Sequence, residues 1–330
     1  IGGWYDIFLG GTLRNFSRMR DLGATEESRR GQQLTIGPWI HSDPFSSVSG
    51  EVDFGTRASG AAQDLQGRIL RFCDFWLKGE DNGVAEDKPV RIFVMGENVW
   101  RAEEEWPLSR SEPNLYYLHS GGKANTFSGD GYMSLDAPSS EAPDVYVYNP
   151  IDPVPTRGGS LNGAPGIMAA GAFDQRPVER RPDVLMYTTL PLEQYMEVTG
   201  PIAVTLYAST SARDTDFTAK LVDVFPDGRA VNLTDGIVRA RYRTPRTPAS
   251  LIEIGQVIEY TIDMSATSNL FRRGHRIRLE ISSSNYPRFD RNTNTGEPIG
   301  TDSSFVPALQ TIYHTSEYPS HVILPVVPRP

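Results

Sequence analysis

The sequence predicts an α/β region followed by an all-β region, and three observations carry this prediction. Short apolar runs alternate with helical periodicity over residues 1–108, which is typical of a mostly parallel sheet. From about residue 109 strict alternation of apolar and polar residues replaces that periodicity. The 25 prolines and 30 glycines indicate many turns. We therefore expect two domains, at 1–108 and 109–330, the second a β-sandwich of the jelly-roll type.

The first region contains apolar patterns for both strands and helices. Residues 9–22 place apolar side chains three or four positions apart, which predicts a helix with one buried face. Residues 61–78 repeat this pattern, and Gly79 is a suitable helix end. The predicted elements, in order, are a strand end at 1–5, a helix at 9–22, a strand at 33–37, a helix with a buried apolar face at 61–78 and a strand at 89–95.

Nine short strands are predicted in the second region, because each run alternates or is rich in β-branched and aromatic residues. They are 115–118, 145–148, 184–188, 202–208, 217–224, 236–242, 258–264, 276–281 and 321–327. The segment 149–183 has no period. A loop of this length is commonly functional or disordered, so we expect it either to line a site or interface or to cover the surface.

Composition excludes several classes of partner. The formal net charge of −9 and the absence of a basic stripe argue against nucleic-acid binding. No run of 18 apolar residues occurs, so we expect no membrane span. Cys73 is the single cysteine and cannot form an internal disulfide, which fits a cytoplasmic location. The chain begins with Ile1 and shows no signal-peptide pattern.

Two polar residues follow predicted strands and are the candidate catalytic pair. Asp6 comes directly after the first strand, and His41 closes the apolar run 36–41. Since ligand sites lie at the carboxyl ends of parallel strands, both should share one sheet edge. An acid followed by a histidine is the chain order of the last two triad members in an α/β-hydrolase. Histidine can act as the general base, and the acid orients it.

A triad also needs a nucleophile, and none is found here. The serine of an α/β-hydrolase sits in a Gly-x-Ser-x-Gly turn upstream of the acid, but the acid is already at position 6. The run around Ser160 fails this pattern at its last position. We therefore expect the nucleophile outside this chain. On spacing alone, Asp6 as a helix cap and His41 as a structural residue would be the favoured interpretation.

A metal site is not expected. The run 290–294 resembles the start of a calcium loop, but the glycine comes one position late and residue 301 is threonine. The histidines other than His41 show no metal-ligand spacing. We expect a hydrogen-bonded turn at 290–294.

The flanking sequences resemble those of the cocaine esterase-like serine hydrolases, a group that includes Xaa-Pro dipeptidyl-peptidases and α-amino acid ester hydrolases. The runs 2–8 (GGWYDIF) and 36–41 (IGPWIH) resemble the acid and histidine motifs of this family. The resemblance continues through 90–96 (VRIFVMG), 214–224 (DTDFTAKLVDV) and 274–285, which ends in SSSN.

This resemblance implies specific roles. Asp6 would be the triad acid and His41 the base, while Phe8 would line the acyl pocket. Residues 1–108 would be the C-terminal part of an α/β-hydrolase sheet. The nucleophile, the oxyanion donors and a helical cap would belong to an N-terminal segment not present here. No metal or organic cofactor is implied.

Three functions remain open. The first is a serine esterase acting on small-molecule carboxylic esters, with this chain inactive alone. The second is a dipeptidyl-peptidase or an amino acid ester hydrolase. The third is a non-catalytic fragment whose jelly roll binds a ligand or supports a partner. We also expect residues 1–106 to need the N-terminal segment for stability, and a second copy of the chain is a further candidate partner.

Overall fold

Two β-sheets organise the chain in a computed structural model that describes residues 1–125, 128–163, 168–245, 247–298 and 300–329. The smaller sheet has the order β1 (Gly2–Tyr5), β2 (Leu34–Ile40), β5 (Val90–Val94) and β6 (Val99–Glu103). Its first three strands are parallel and β6 is antiparallel. A short pair lies between β2 and β5 in sequence, formed by β3 (Val48–Ser49) and β4 (Val52–Asp53).

Both predicted helices of this region are found, the second shorter than predicted, together with a short additional helix that was not predicted. Helix α1 spans Leu9–Leu22, as predicted, and the additional helix, α2, spans Glu26–Arg30. The predicted helix 61–78 begins only at Leu65, because Asp64 has a left-handed backbone (φ 46°) and its side chain caps the N–H of Gly67. Helix α3 (Leu65–Cys73) then continues as a π-helical turn over Asp74–Lys78 and ends at Gly79.

The apolar face predicted for residues 61–78 is only partly buried. Leu65 is buried, but Ile69, Trp76 and Leu77 are exposed, Leu77 by 82%. That part of the prediction is wrong for this chain, because nothing among the described residues covers the outer side of α3.

Within the described residues the larger sheet has eleven strands, and β10 with β8 is its one parallel pair. Its order is β13-β12-β15-β10-β8-β7-β17-β11-β16-β9, with β14 paired to β11. The strands are β7 (Glu112–His119), β8 (Tyr132–Ser134), β9 (Asp144–Tyr148), β10 (Leu185–Thr188), β11 (Met196–Thr210), β12 (Asp216–Val224), β13 (Ala230–Arg239), β14 (Ile258–Phe271), β15 (Arg276–Ser282), β16 (Ala308–Tyr313) and β17 (His321–Val327).

All nine predicted strands of this region are found, although several bounds change. The strand predicted at 236–242 runs from Ala230 to Arg239, and a 3₁₀ turn replaces its end. Strands β8 and β16 of this region were not predicted, nor were β3, β4 and β6 of the first region. The chain is thus mostly β, as expected for its second region.

Hydrogen bonds and a common core join the two sheets. The N–H of Met95, after β5, donates to the carbonyl of Ser268 in β14 at 3.0 Å, and the N–H of Leu270 donates back to Met95 at 2.8 Å. One cluster of buried apolar side chains runs from Trp4 and Phe93 into the strands of the larger sheet. The small sheet is therefore fixed against the large one.

The segment 149–183 lies against the first region. It contains only the short helix α4 (Arg176–Glu179) among its described residues, and positions 164–167 lie outside them. Ser160 Oγ donates to the carbonyl of Trp4 at 3.1 Å, and Ala172 forms an isolated bridge with Gly50. These contacts favour an interface role over plain surface covering.

Candidate functional site

Asp6 and His41 lie at one edge of the small sheet. Asp6 follows the last residue of β1 and His41 follows the last residue of β2. The two strands are parallel neighbours, and Tyr5 is in register with Ile40. Consequently Nδ1 of His41 lies 3.0 Å from Oδ1 of Asp6. The structure brings together the two residues that the sequence paired.

The carboxylate of Asp6 is held in a turn that leads into α1. Its Oδ1 also accepts the N–H of Phe8 at 2.9 Å, while its carbonyl accepts the N–H of Leu9 at 3.1 Å. Gly3 is required upstream, because a Cβ there would overlap the carbonyl of Trp39 on β2. Close approach of β1 and β2 thus sets the position of Asp6 relative to His41.

The orientation of His41 leaves one ring nitrogen available. A carboxylate can only accept, so Nδ1 of His41 carries the proton toward Asp6. In the neutral ring Nε2 is then the basic nitrogen, and it has no hydrogen-bond partner among the described residues. The His41 side chain is 37% exposed, against 13% for Asp6. An oriented, accessible imidazole with a shielded carboxylate behind it is the arrangement of a general base.

Phe8 lies beside the histidine. Its ring is 4.8 Å from the His41 ring in an edge-on geometry, and the side chain is 59% exposed. Phe8 is therefore not a core residue in this chain; it presents an apolar surface next to the imidazole.

A cleft of about 460 Å³ begins at Asp6 and runs between α1 and the larger sheet. Asp235 and Arg288 form an ion pair in its lining, and Asn285 donates to Asp235 at 2.8 Å. Sequence reasoning missed these residues because nothing local marks a pair separated by more than fifty positions. Ser160 also lines the cleft, but its hydroxyl is engaged by the backbone of Trp4.

The remaining histidines have partners of their own. His314 is buried, with Nε2 at 3.0 Å from Asp144 and Nδ1 at 3.3 Å from Glu141, which also contacts His119 at 2.7 Å. No group of three or more His, Cys, Asp or Glu side chains in the described ranges is arranged to hold a metal. No helix in that part of the chain is long and apolar enough to cross a bilayer.

The run 290–294 forms hydrogen bonds within the larger sheet region. Asn292 Nδ2 donates to Asp214 at 2.9 Å and to Asp216 at 2.8 Å. The carboxylate of Asp216 also binds Arg239. The run is hydrogen-bonded, as predicted, but residues 290–293 have no regular secondary structure and Asn294 begins a bend rather than a turn.

Residues 82–323 match the family model of the X-Pro dipeptidyl-peptidase C-terminal non-catalytic domain. The chain belongs to this family, and its resemblance to the cocaine esterase-like hydrolases is confirmed. Asp6 and His41 precede the matched residues.

Relatives with known names agree with this placement. The chain is 44% identical to a cocaine esterase of Rhodococcus sp. over 99% of its length and 56% of the relative. It is 32% identical to a putative serine esterase of Mycobacterium bovis, over 79% of this chain and 42% of that protein. The chain thus spans about half the length of the curated relatives it matches.

Solved structures share the fold across nearly the whole chain. An aminopeptidase from a marine-sediment Thaumarchaeota archaeon superposes with a TM-score of 0.85 at 26% identity, covering 99% of this chain and 54% of that one. An α-amino acid ester hydrolase gives a TM-score of 0.80 at 28% identity, covering 98% and 54%.

Proposed function

We propose that this chain supplies the acid and base of a serine esterase that hydrolyses carboxylic esters through an acyl-serine intermediate. The observation that carries the proposal is the 3.0 Å contact of His41 Nδ1 with Asp6 at one sheet edge. The relatives named as a cocaine esterase and a serine esterase support the substrate class. In this proposal residues 1–108 are the C-terminal part of an α/β-hydrolase sheet and residues 109–330 a jelly roll.

In the proposed mechanism the proton moves through His41. His41 Nε2 takes the proton of the serine hydroxyl as the serine oxygen attacks the ester carbonyl, and then delivers it to the departing alkoxide. Water next attacks the acyl-serine, with His41 removing its proton and returning one to the serine. Asp6 holds the tautomer and stabilises the imidazolium at each stage. Phe8 would form an apolar wall of the acyl pocket. This chemistry needs no metal or organic cofactor.

The nucleophile would come from a segment outside the sequence, either upstream in the same polypeptide or on a companion chain. Two features support such a segment. Strand β1 is fully buried yet pairs only with β2 among the described strands. The outer faces of α1 and α3 expose Leu22 and Leu77 by 75% and 82%. An uncovered sheet edge and large apolar side chains are features that proteins normally cover. A cytoplasmic location fits the single cysteine.

The test uses the protein expressed from its full gene. Asp6→Asn and His41→Ala should each lower kcat for p-nitrophenyl butyrate by about 10⁴-fold, because removing a triad member leaves only binding and oxyanion stabilisation. His321→Ala is the matched control: its ring binds the carbonyl of Pro319 in the larger sheet, so activity should not change. Near-normal turnover in either site variant would reject the assignment. Labelling with a fluorophosphonate, read by intact mass, would locate the serine.

A dipeptidyl-peptidase is the second candidate, favoured by the family match and by the structural likeness to an aminopeptidase. It would cleave Xaa-Pro-p-nitroanilide faster than the ester, and the same two variants would abolish that cleavage. Activity on the ester alone would favour the esterase. If the protein cleaves neither substrate and no serine is labelled, the chain would be a non-catalytic binding or structural module.

A further inference from the structure

A second cavity, of about 400 Å³, lies where the end of β5 meets the ends of β14 and β12. Its lining comes from both sheets, and it includes none of Asp6, Phe8 and His41. The hydrogen bonds between Met95 and β14 run beside it. Its volume is in the range of small-molecule sites, which commonly form at junctions between structural units.

The floor of this junction cavity is formed by buried apolar and aromatic side chains. Tyr5, Phe54 and Met95 come from the first region, and Val231 and Leu233 come from β13. All five are at least nine-tenths buried. A ligand that fills this space would therefore present an apolar body to the floor.

Three residues of the lining each carry a buried polar side-chain atom without a hydrogen-bond partner among the described residues. Asn269 is 2% exposed, and its Nδ2 has no hydrogen-bond partner among the described residues. Nε of Arg229 and Oδ1 of Asn98 are also buried without a partner there. Buried polar groups are nearly always satisfied. Two of these three atoms are donors, so the missing partner is mainly an acceptor.

The charges in the lining also favour an anion. Among the described residues neither Arg229 nor Arg272 forms an ion pair. Arg229 packs over the Phe225 ring at 4.1 Å, and Arg272 donates to the carbonyl of Gly96 at 3.0 Å. Arg272 is exposed and lies at the mouth of the cavity.

The carboxylates of the lining already have partners. Asp223 contacts Nδ1 of His275 at 2.8 Å, and Glu51 binds Arg157 at 2.9 Å. Asp53 accepts the N–H of Gly55 at 2.9 Å. Asp53, Arg229 and Arg272 are therefore the charged side chains of the lining that form no ion pair among the described residues, and these are two cations against one carboxylate.

We propose that the junction cavity binds an apolar monocarboxylate. Its carboxylate would accept from Arg229 and Asn269, with Arg272 at the mouth, and its hydrocarbon body would lie on Tyr5 and Phe54. A planar guanidinium fork suits a carboxylate, and the apolar floor excludes a highly charged ligand. This site goes beyond the proposed esterase function and does not depend on it.

The test is a ¹⁹F NMR titration of the full protein with 4-fluorophenylacetate, using the neutral 4-fluorophenylacetamide as the matched probe. The acid should bind saturably and at least about tenfold more tightly than the amide, because a hydrogen bond to a charged group contributes about one to two factors of ten. Arg229→Gln and Arg272→Gln should each lower the affinity for 4-fluorophenylacetate, and Arg229→Gln should lower it by about tenfold or more. Arg273→Gln, an exposed neighbour outside the lining, should bind like the wild type.

Several results would overturn the inference. Absence of saturable binding, equal affinity for acid and amide, or wild-type affinity in both Arg229→Gln and Arg272→Gln would each do so. Loss of binding in His41→Ala with binding retained in Arg229→Gln would place the probe at the triad edge instead. If Arg229→Gln does not fold, Arg272→Gln and the acid–amide pair decide the question, since Arg272 is exposed.

Discussion

Glu280 is a buried carboxylate whose environment opposes its charge. Its side chain in β15 is 4% exposed, and Oε1 has no hydrogen-bond partner among the described residues. Lys220 approaches Oε2 at 3.3 Å, which only partly offsets the loss of water. Burial, reinforced by Glu179 and opposed by Lys220, raises the pKa of Glu280 to about 7 from an ordinary 4.5. The folded protein therefore holds a proton here that the unfolded chain releases.

The consequence is a loss of stability as pH rises. Below about pH 4.5 Glu280 is protonated in both the folded and the unfolded chain, and its contribution to the free energy of unfolding is complete. This contribution is lost as the pH rises through the folded pKa near 7. Glu280→Gln mimics the neutral form, so it should flatten this decline. At pH 8 it should raise the free energy of unfolding by up to about 3 kcal/mol. Urea unfolding at pH 5, 6.5 and 8 measures the effect.

The exposed Glu253→Gln is the control for this prediction and should leave the profile unchanged. A Glu280→Gln protein whose stability falls with pH as steeply as the wild type would contradict the assigned pKa shift.

Some residues of the candidate site could be predicted from the sequence near them, and others depend on contacts with distant parts of the chain. Asp6 and His41 could be predicted because each follows its own apolar run, and parallel strands bring such positions to one edge. Asp235 and Arg288 could not, because their contact depends on how β13 meets a distant loop. The exposure of Phe8 depends on what else packs beside it, which the residue pattern does not contain.

At the scale of elements, the joint between β5 and β14 depends on Gly96. Gly96 has φ of +78°, and a Cβ there would overlap the carbonyl oxygen of Leu270. Strand β5 can therefore approach β14 only because residue 96 lacks a side chain. The carbonyl of Gly96 also accepts a hydrogen bond from Arg272. The turn at Gly96 is therefore part of both the joint between the sheets and the wall of the junction cavity.

A pair of substitutions separates backbone strain from the close approach. Gly79 has a similar φ of +71°, but a Cβ there meets no atom within 4 Å. Gly79→Ala should cost about 1 kcal/mol from the left-handed backbone alone. Gly96→Ala should cost about 2–4 kcal/mol, since overlap with Leu270 adds to that strain. Chemical unfolding of both variants gives the comparison, and equal losses would mean that the approach at Gly96 is not required.

The predicted elements differ in accuracy for a physical reason. Helix α1 was predicted to the residue because its period and its ends are local. Strands β11 and β14 are longer than predicted because their pairing continues past a register shift near Pro201. Beyond that shift, each strand is extended by hydrogen bonds to the other rather than by an alternation of apolar and polar residues. Strand β16 is specified by pairing with β9 and β11, so its own pattern was too weak.

For the molecule as a whole, a buried ion network ties the small sheet to the large one. Glu197 of β11 is fully buried. It accepts two hydrogen bonds from Arg101 of β6, at 2.8 and 2.6 Å, and two from Arg329, at 3.0 and 2.8 Å. Thr199 donates a further bond at 2.7 Å. Burial opposes ionisation, but these bonds hold the pKa of Glu197 below its ordinary value. One carboxylate therefore links the small sheet, the large sheet and the segment that follows β17.

Glu197→Gln should destabilise the whole chain at neutral pH by about 3 kcal/mol or more, because it leaves two guanidinium groups around a neutral buried side chain. The folded pKa of Glu197 is depressed, so its contribution is present above about pH 4.5 and is lost as pH falls through the folded value. The difference in the free energy of unfolding between the wild type and Glu197→Gln should therefore decrease as the pH is lowered. Glu97→Gln removes only the exposed partner of Arg329 and should cost no more than about 0.5 kcal/mol. Chemical unfolding followed by both near-UV and far-UV circular dichroism would measure these losses of stability. If the Glu197→Gln protein is as stable as the Glu97→Gln protein, packing alone, without the ion network, holds the two sheets together.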